Sequence, residues 1–226
     1  MNKPCGFFVT GTDTGIGKTV VSLGLIQALQ DRGLKVAGMK PVASGCESTA
    51  AGLRNDDALR LQRQSSIALD YDAVNPYAFE PAIAPHLAAR AAGVNVDPGH
   101  IRELYQSVAA QVDCVVVEGV GGWRVPLNER EDVADLARLL GLDVWLVVGL
   151  RLGCLNHALL TAQAIENSGC TLGGWVANQL PPPMEAAEDN INTLKDKLSS
   201  PLLGVVPVGA TFDVNIVAHA LNGIHL

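Results

Sequence analysis

Phe7-Phe8-Val9-Thr10-Gly11-Thr12-Asp13-Thr14-Gly15-Ile16-Gly17-Lys18-Thr19 is the stretch on which the fold assignment turns. Residues 11–19 end in the G-K-T of the pattern G-x-x-x-x-G-K-S/T, with five residues in place of four between Gly11 and Gly17; an apolar run precedes them, and helical spacing starts at Thr19. Strand, glycine-rich loop and helix in that order are what cradling a phosphate requires. Glycines let successive backbone N–H groups curl around the anion, and the helix N-terminus adds a partial positive charge. Lys18 reaches the terminal phosphates, and the Thr19 hydroxyl can ligate magnesium. A chance glycine-rich turn would not bring the strand and the helix with it.

Outward from this loop, Phe7 to Thr10 is the first of six apolar, β-branched runs, followed by Val36 to Met39, Cys114 to Val117, Val144 to Val148, Gly174 to Ala177 and Leu202 to Val206. Most lack polar alternation, which predicts strands covered on both faces. Between them lie segments with helical spacing: Thr19 to Arg32, Asp57 to Gln64, Pro98 to Gln111, Val133 to Leu140, Leu155 to Asn167 and Glu185 to Leu198. Alternating strands and helices predict an α/β fold of the P-loop NTPase kind, a mostly parallel sheet with right-handed crossovers and helices on both faces. Gly33, Gly141 and Gly169 stand where three of the helices should close. Pro181-Pro182-Pro183 reads as a stiff surface connection rather than a linker, so one domain spanning residues 1–226 is expected. Asn75 to Asn95, with three prolines, shows no clear period.

Composition narrows the class of ligand. Hydrophobic residues make up 48% and charged residues 17%, a balance suited to a packed globular chain. The net charge of −7 and an aromatic content of 4% offer no basic footprint for nucleic acid, so small ligands are the better candidates. Five cysteines (Cys5, Cys46, Cys114, Cys154, Cys170) are odd in number and contain no C-x-x-C pair, which predicts reduced thiols and no zinc site. No signal-peptide stretch or run long enough to span a membrane is seen, so a cytoplasmic enzyme with no membrane partner is expected.

Other candidates sit at predicted strand ends. Lys40 ends the second strand and precedes Ser44 and Gly45, at the carboxyl edge where open α/β sheets bind ligands. Glu118 ends the third and is followed by Gly119, Gly121 and Gly122, the place for a metal-coordinating carboxylate. Asp57 follows Asn55-Asp56 and can cap a helix, coordinate a metal, or both. Gly153-Cys154-Leu155-Asn156 opens a helix just after a strand and offers N–H groups to an anion. The five histidines show no metal-ligand spacing, and no serine sits in a G-x-S-x-G elbow.

Taken together, VTGTDTGIGKT (residues 9–19), KPVASG (40–45), GLRNDDALRLQ (52–62), VNPYAFEPAIAPH (74–86), VEGVGGW (117–123), VVGLRLGCLNHALLTAQ (147–163) and GWVANQ (174–179) resemble the dethiobiotin synthetase family. The resemblance implies closure of a ureido ring on 7,8-diaminononanoate with carbon dioxide or bicarbonate and ATP, through a carbamate and a carbamic-phosphoric mixed anhydride. It implies magnesium between Thr19, Asp57 and Glu118, and catalytic roles for Lys18, Lys40 and Thr14. By the same resemblance Gly15, Ile16, Gly17, Lys18, Thr19, Val20, Asp57, Glu118, Gly119, Val120, Gly121, Asn178, Gln179, Val206, Pro207 and Val208 surround the nucleotide. Thr14, Lys40, Ser44 and Gly121 hold the reacting end of the diamine. Gly153, Cys154, Leu155 and Asn156 hold its carboxylate across the two-fold interface of a homodimer.

The main rival class is the switch ATPases of chromosome partitioning and division-site selection. Those carry an extra lysine early in the loop, which Gly11-Thr12-Asp13 does not supply, and commonly a basic amphipathic tail, whereas residues 210–226 contain no lysine or arginine. Another small-molecule kinase or synthetase on the same scaffold is the alternative that the residues alone leave open.

Overall fold

Ten strands and nine helices are described by the computed structural model, which covers residues 5–210, 213–221 and 223, the Cys5 side chain excepted. Thr211, Phe212 and His225 lie outside the described residues. In chain order the elements are β1 (Cys5–Gly11), α1 (Lys18–Gln30), β2 (Val36–Met39), β3 (Val42–Ser44), β4 (Glu47–Thr49), β5 (Gly52–Arg54), α2 (Asp56–Gln64), α3 (Tyr71–Val74), β6 (Tyr77–Phe79) and α4 (Pro85–Ala91). There follow α5 (Pro98–Ala109), β7 (Cys114–Glu118), α6 (Val133–Leu140), β8 (Asp143–Leu150), α7 (Cys154–Asn167), β9 (Leu172–Gln179), α8 (Ala187–Lys197), β10 (Leu202–Val206) and α9 (Val214–Ala220).

Six of the strands form one parallel sheet in the order β2-β7-β1-β8-β9-β10, as the alternating pattern predicts. Successive side chains on a strand point to opposite faces, so a strand buried on both sides supplies two cores at once. Phe8, Val117 and Leu146 pack into the core on one face, and Val9, Val116 and Val147 into the core on the other. That division is why the strands read as unbroken apolar runs. Each fully buried Val, Leu or Phe contributes roughly 1.5–3 kcal/mol, which makes the sheet the rigid part of the molecule.

All six expected strands form, with β1 and β9 extending beyond their apolar centres. Helices start or stop one or two residues from the expected bounds, as in α1 and α8. Gly33, Gly141 and Gly169 all adopt positive φ after their helices. The stretch Asn75 to Asn95 holds β6 and α4, and β6 pairs with β3 in a two-stranded ribbon apart from the main sheet. Helix α9 covers α1 so closely that a Cβ on Gly24 would lie 2.3 Å from Val217 Cγ1. None of Cys46, Cys114, Cys154 and Cys170 is in a disulfide. No helix among the described residues is long and apolar enough to cross a membrane.

Parallel strands bring all their carboxyl ends to one edge. That edge carries the loop after β1, Lys40 after β2, Glu118 at the end of β7, Arg151 after β8 and Asn178-Gln179 at the end of β9.

Candidate active site

The loop after β1 turns on two glycines in the left-handed region, Gly15 (φ 72°) and Gly17 (φ 89°). Gly17 is the N-cap of α1 and brings no side chain to the cap, so the first N–H groups of the helix stay available to an anion. Glycine is required here for space as well as for φ. A Cβ on Gly17 would lie 2.1 Å from Asn178 Nδ2, and that same nitrogen donates to the Ile16 carbonyl at 2.7 Å. Asn178, from the end of β9, thus braces the back of the loop. At the front, Lys18 Nζ donates to the Asp13 carbonyl at 2.8 Å. Only 7% of Lys18 is exposed, and burial draws its pKa down to about 8 even though Glu118 pulls the other way.

Beside Lys18 lies a buried ion cluster. Lys40 Nζ sits 2.5 Å from Glu118 Oε1 and 3.2 Å from Asp57 Oδ2, and Thr19 Oγ1 donates to the same Glu118 oxygen at 2.9 Å. Lys40 is 5% exposed and Glu118 1%. Burial alone would depress the Lys40 pKa, but the two facing carboxylates outweigh it and hold the ammonium charged. Burial works against the Asp57 carboxylate too, and the charge of Lys40 overcomes it, so its pKa lies below the ordinary 3.8. The N-cap of α2 is Asn55, whose Oδ1 accepts from Ala58 N, so Asp57 is not the capping side chain and faces Lys40 instead.

A second layer fixes this cluster. Asn75 Nδ2 donates to the Lys40 carbonyl at 2.6 Å, and Asn75 Oδ1 accepts from the Tyr71 hydroxyl at 2.9 Å. That hydroxyl in turn accepts from Asn55 N at 2.8 Å. The backbone of Lys40 and the cap of α2 are therefore joined through two buried side chains, Tyr71 and Asn75, neither of which is among the expected site residues.

The two groups open into one cavity of about 670 Å³. Of the expected site residues, Thr14, Gly15, Gly17, Lys18, Thr19, Val20, Lys40, Ser44, Asp57, Glu118, Val120 and Gly121 line it. Ala82, Ile83, Ala84 and Pro85, from the stretch without a clear period, line it as well, as do Asn55, Arg60 and Val125. Of the six buried side-chain polar atoms without a protein partner among the described residues, two, Glu118 Oε2 and Ser44 Oγ, belong to residues that line this cavity. Buried polar atoms are almost always paired, so orphans at a cavity wall mark places where a ligand completes the bonding.

Other expected residues lie elsewhere. The Ile16 and Val206 side chains are in the core under the sheet edge, Gly119 packs against Phe8, and Pro207 and Val208 are exposed beyond β10. Gln179 is half-buried at the end of β9. Gly153, at φ 94°, is the N-cap of α7, and the turn from Gly153 to Asn156 does not line the large cavity of its own subunit. Leu152, beside it, is 94% exposed. A second cavity of about 630 Å³ runs from Gly15 past Leu150, Arg151 and Leu152 to Leu180 and Pro181-Pro182-Pro183. The segment between Arg124 and Asp132 folds back on itself, with an Arg124–Asp132 ion pair at 2.5 Å.

Comparison with known proteins places this geometry. A family profile described as an AAA domain matches residues 5–213. The ATP-dependent dethiobiotin synthetase BioD of Pseudomonas paraeruginosa (strain DSM 24068 / PA7) is 58% identical over 202 residues, covering 89% of either chain. The protein of the same name from Aromatoleum aromaticum is 50% identical over 222 residues, 98% of this chain and 99% of its own. Among solved structures, the MinD cell division protein of Aquifex aeolicus superposes with a TM-score of 0.59 at 14% identity, over 98% of each chain. A ParA family ATPase of Chlorobium tepidum gives 0.58 at 11%, over 98% of this chain and 92% of its own. The structural likenesses establish a P-loop NTPase fold alone, whereas sequence identity at this level over nearly the whole length is specific: the chain belongs to the dethiobiotin synthetase family.

Proposed function

We propose that this chain is an ATP-dependent ligase that closes the ureido ring of dethiobiotin on 7,8-diaminononanoate, in biotin biosynthesis. One observation carries the reading from the structural side: the phosphate loop and the Lys40–Glu118–Asp57 cluster face a single cavity in which Ser44 Oγ and Glu118 Oε2 lack partners. A kinase acting on a ready-made acceptor needs the first group; joining a carbamate to the γ-phosphate also needs fixed positive charge on the acceptor side.

The chemistry divides among these residues as follows. One substrate amine adds to carbon dioxide and sheds a proton, giving a carbamate. Thr14, Ser44 and Gly121 line its seat, and Lys40 offsets its charge. A carbamate oxygen then attacks the γ-phosphorus and ADP departs, with Lys18 following the charge on the phosphates. Finally the second amine attacks the carbamoyl carbon and inorganic phosphate leaves, closing the ring. Loop amides from Gly15 to Val20 surround the phosphates, with Gly119 and Val120 opposite; Asn178, Gln179 and the Val206 to Val208 backbone lie on the side of the base.

Magnesium fits the donor set. Thr19 Oγ1, Glu118 Oε2 and Asp57 are hard oxygen donors beside the phosphate loop that would hold the ion, which would neutralise charge on the transferring phosphoryl group.

The remaining parts of the reading are a one-domain chain working in the cytoplasm as a homodimer. The exposed Leu152 and the open N-terminus of α7 suit a two-fold contact in which the turn from Gly153 to Asn156 receives the substrate carboxylate of the neighbouring subunit. The deciding experiment incubates purified protein with ATP, magnesium, bicarbonate and 7,8-diaminononanoate and looks for dethiobiotin by mass. Formation of ADP without dethiobiotin would refute the acceptor, and no ATP turnover would refute the enzyme.

A further inference from the structure

Asp13 is the junction of three contacts. Its Oδ1 accepts from Thr14 N at 2.7 Å, its Oδ2 accepts from Arg151 Nη2, and its carbonyl oxygen accepts from Lys18 Nζ at 2.8 Å. Arg151 follows β8 directly, whereas Asp13 belongs to the loop after β1, and the two strands are neighbours in register from Phe7 and Asp143 up to Gly11 and Val147. The ion pair therefore ties the front of the phosphate loop to the adjacent strand end. The back of the loop is braced instead by Asn178 on the Ile16 carbonyl. The two halves of the loop are thus fixed separately, the front by this charge pair and by Thr12 N donating to the Val147 carbonyl at 3.1 Å, and the back by an amide.

We infer that Arg151 is a positioning residue for the acceptor side of the reaction, acting through Asp13 on Thr14. This rests on the proposed reading that Thr14 faces the carbamate and that residues 15–19 hold the nucleotide. The geometry separates the two consequences. Losing the Arg151 contact lets Asp13 rotate, which releases the Thr14 amide and shifts the Thr14 side chain in the cavity. Gly15 to Thr19, held by Asn178 and by the start of α1, stay in place. Use of the diamine suffers while nucleotide affinity does not. A bond that merely stabilised the fold would lower the melting temperature and leave the ratio of these two parameters unchanged.

The pair is about half exposed on either side, so its effect sits near the upper end for surface ion pairs, about fivefold in kcat/KM for the diamine. The test measures kcat/KM for the diamine, the Kd for ATP and the melting temperature in wild type, Arg151→Met, Arg151→Lys, Asp13→Asn and the double variant Asp13→Asn/Arg151→Met. The expected result is a loss of about fivefold in the diamine parameter for Arg151→Met, ATP affinity within about twofold of wild type, recovery in Arg151→Lys, and a double variant no worse than Asp13→Asn. Additive losses in the double variant, or losses shared equally between diamine and ATP, would overturn the inference. Formation of ADP but no dethiobiotin by the wild type would instead overturn the functional reading and take this inference with it.

Discussion

Replacing Lys40 with methionine keeps the side-chain volume and removes one charge from the buried cluster. The structure sets the size of the effect. Glu118, 1% exposed, would lose the cation 2.5 Å from Oε1, and Asp57 would lose its partner at 3.2 Å. Removing one member of a buried ion pair costs ~3–5 kcal/mol because the remaining charge is left uncompensated. Asp57 is partly open to water, 38% by side chain, so rehydration recovers some of its share and the lower figure, ~3 kcal/mol, is the one to expect. Over 226 residues the unfolding entropy is about 0.5 kcal/mol/K, which converts that loss into a fall in Tm of about 6 °C. Calorimetry of four proteins measures it: wild type, Lys40→Met, Glu118→Gln and the double variant. Neutralising Glu118 in the Lys40→Met background should restore part of the lost stability, because the uncompensated anion is gone. Turnover should fall by about 10²–10³ in Lys40→Met, the scale of losing a preorganised charge at a developing anion, with ATP affinity much less affected. A Tm within about 1 °C of wild type together with additive effects in the double variant would refute the cluster as a mutually compensating unit.

Gly17→Ala would place a methyl carbon 2.1 Å from Asn178 Nδ2 and an L-residue at φ 89°; the left-handed penalty alone, ~1–2 kcal/mol, should weaken ATP binding by about tenfold in a titration. Thr19→Val removes one oxygen of the magnesium donor set at nearly constant volume, so the magnesium concentration supporting half-maximal turnover should rise; an unchanged titration would assign Thr19 to the Glu118 hydrogen bond alone. The Thr14 amide, and then Arg151, hold the Asp13 carboxyl below its ordinary 3.8, so the stability it contributes is present above that pH and lost as pH falls through the folded value. The difference in Tm between wild type and Asp13→Asn should accordingly be present at neutral pH and close below about pH 4. Mixing a Lys18→Ala variant with one whose Gly153 to Asn156 turn is obstructed should restore partial turnover if each site spans two subunits; no rescue despite demonstrated subunit exchange would refute the shared site.

The site was legible in the sequence to the extent that it lies at strand ends. An apolar run that stops at Lys40 or Glu118 announces a residue at the carboxyl edge, and a parallel sheet sends every such edge the same way, so separate motifs converge without any knowledge of packing. Asp57 was ambiguous for a local reason: three polar residues at a helix start can all cap, and only the tertiary contact with Lys40 separates Asn55, the cap, from Asp57, the partner of a cation. The Tyr71–Asn75 network was not legible from periodicity, although Asn75 lies in the stretch 74–86 that carries the resemblance. It joins a helix of four residues to a loop, and neither leaves a period in the sequence. The wall formed by residues 82–85 escaped for the same reason, since a three-residue strand and a seven-residue helix between prolines are too short to show alternation or helical spacing.

This difference in legibility bears on what separates the chain from its structural neighbours. MinD and ParA proteins share the scaffold at 14% and 11% identity, so the sheet and its edge are common property and carry no information about the acceptor. What distinguishes this chain must then lie in the residues standing at that edge and in what holds them there. Asp13 uses both carboxylate oxygens within the subunit, one on the Thr14 amide and one on Arg151. The front of the phosphate loop is thereby tied to the end of β8 by side chains at the edge and not by the shared scaffold.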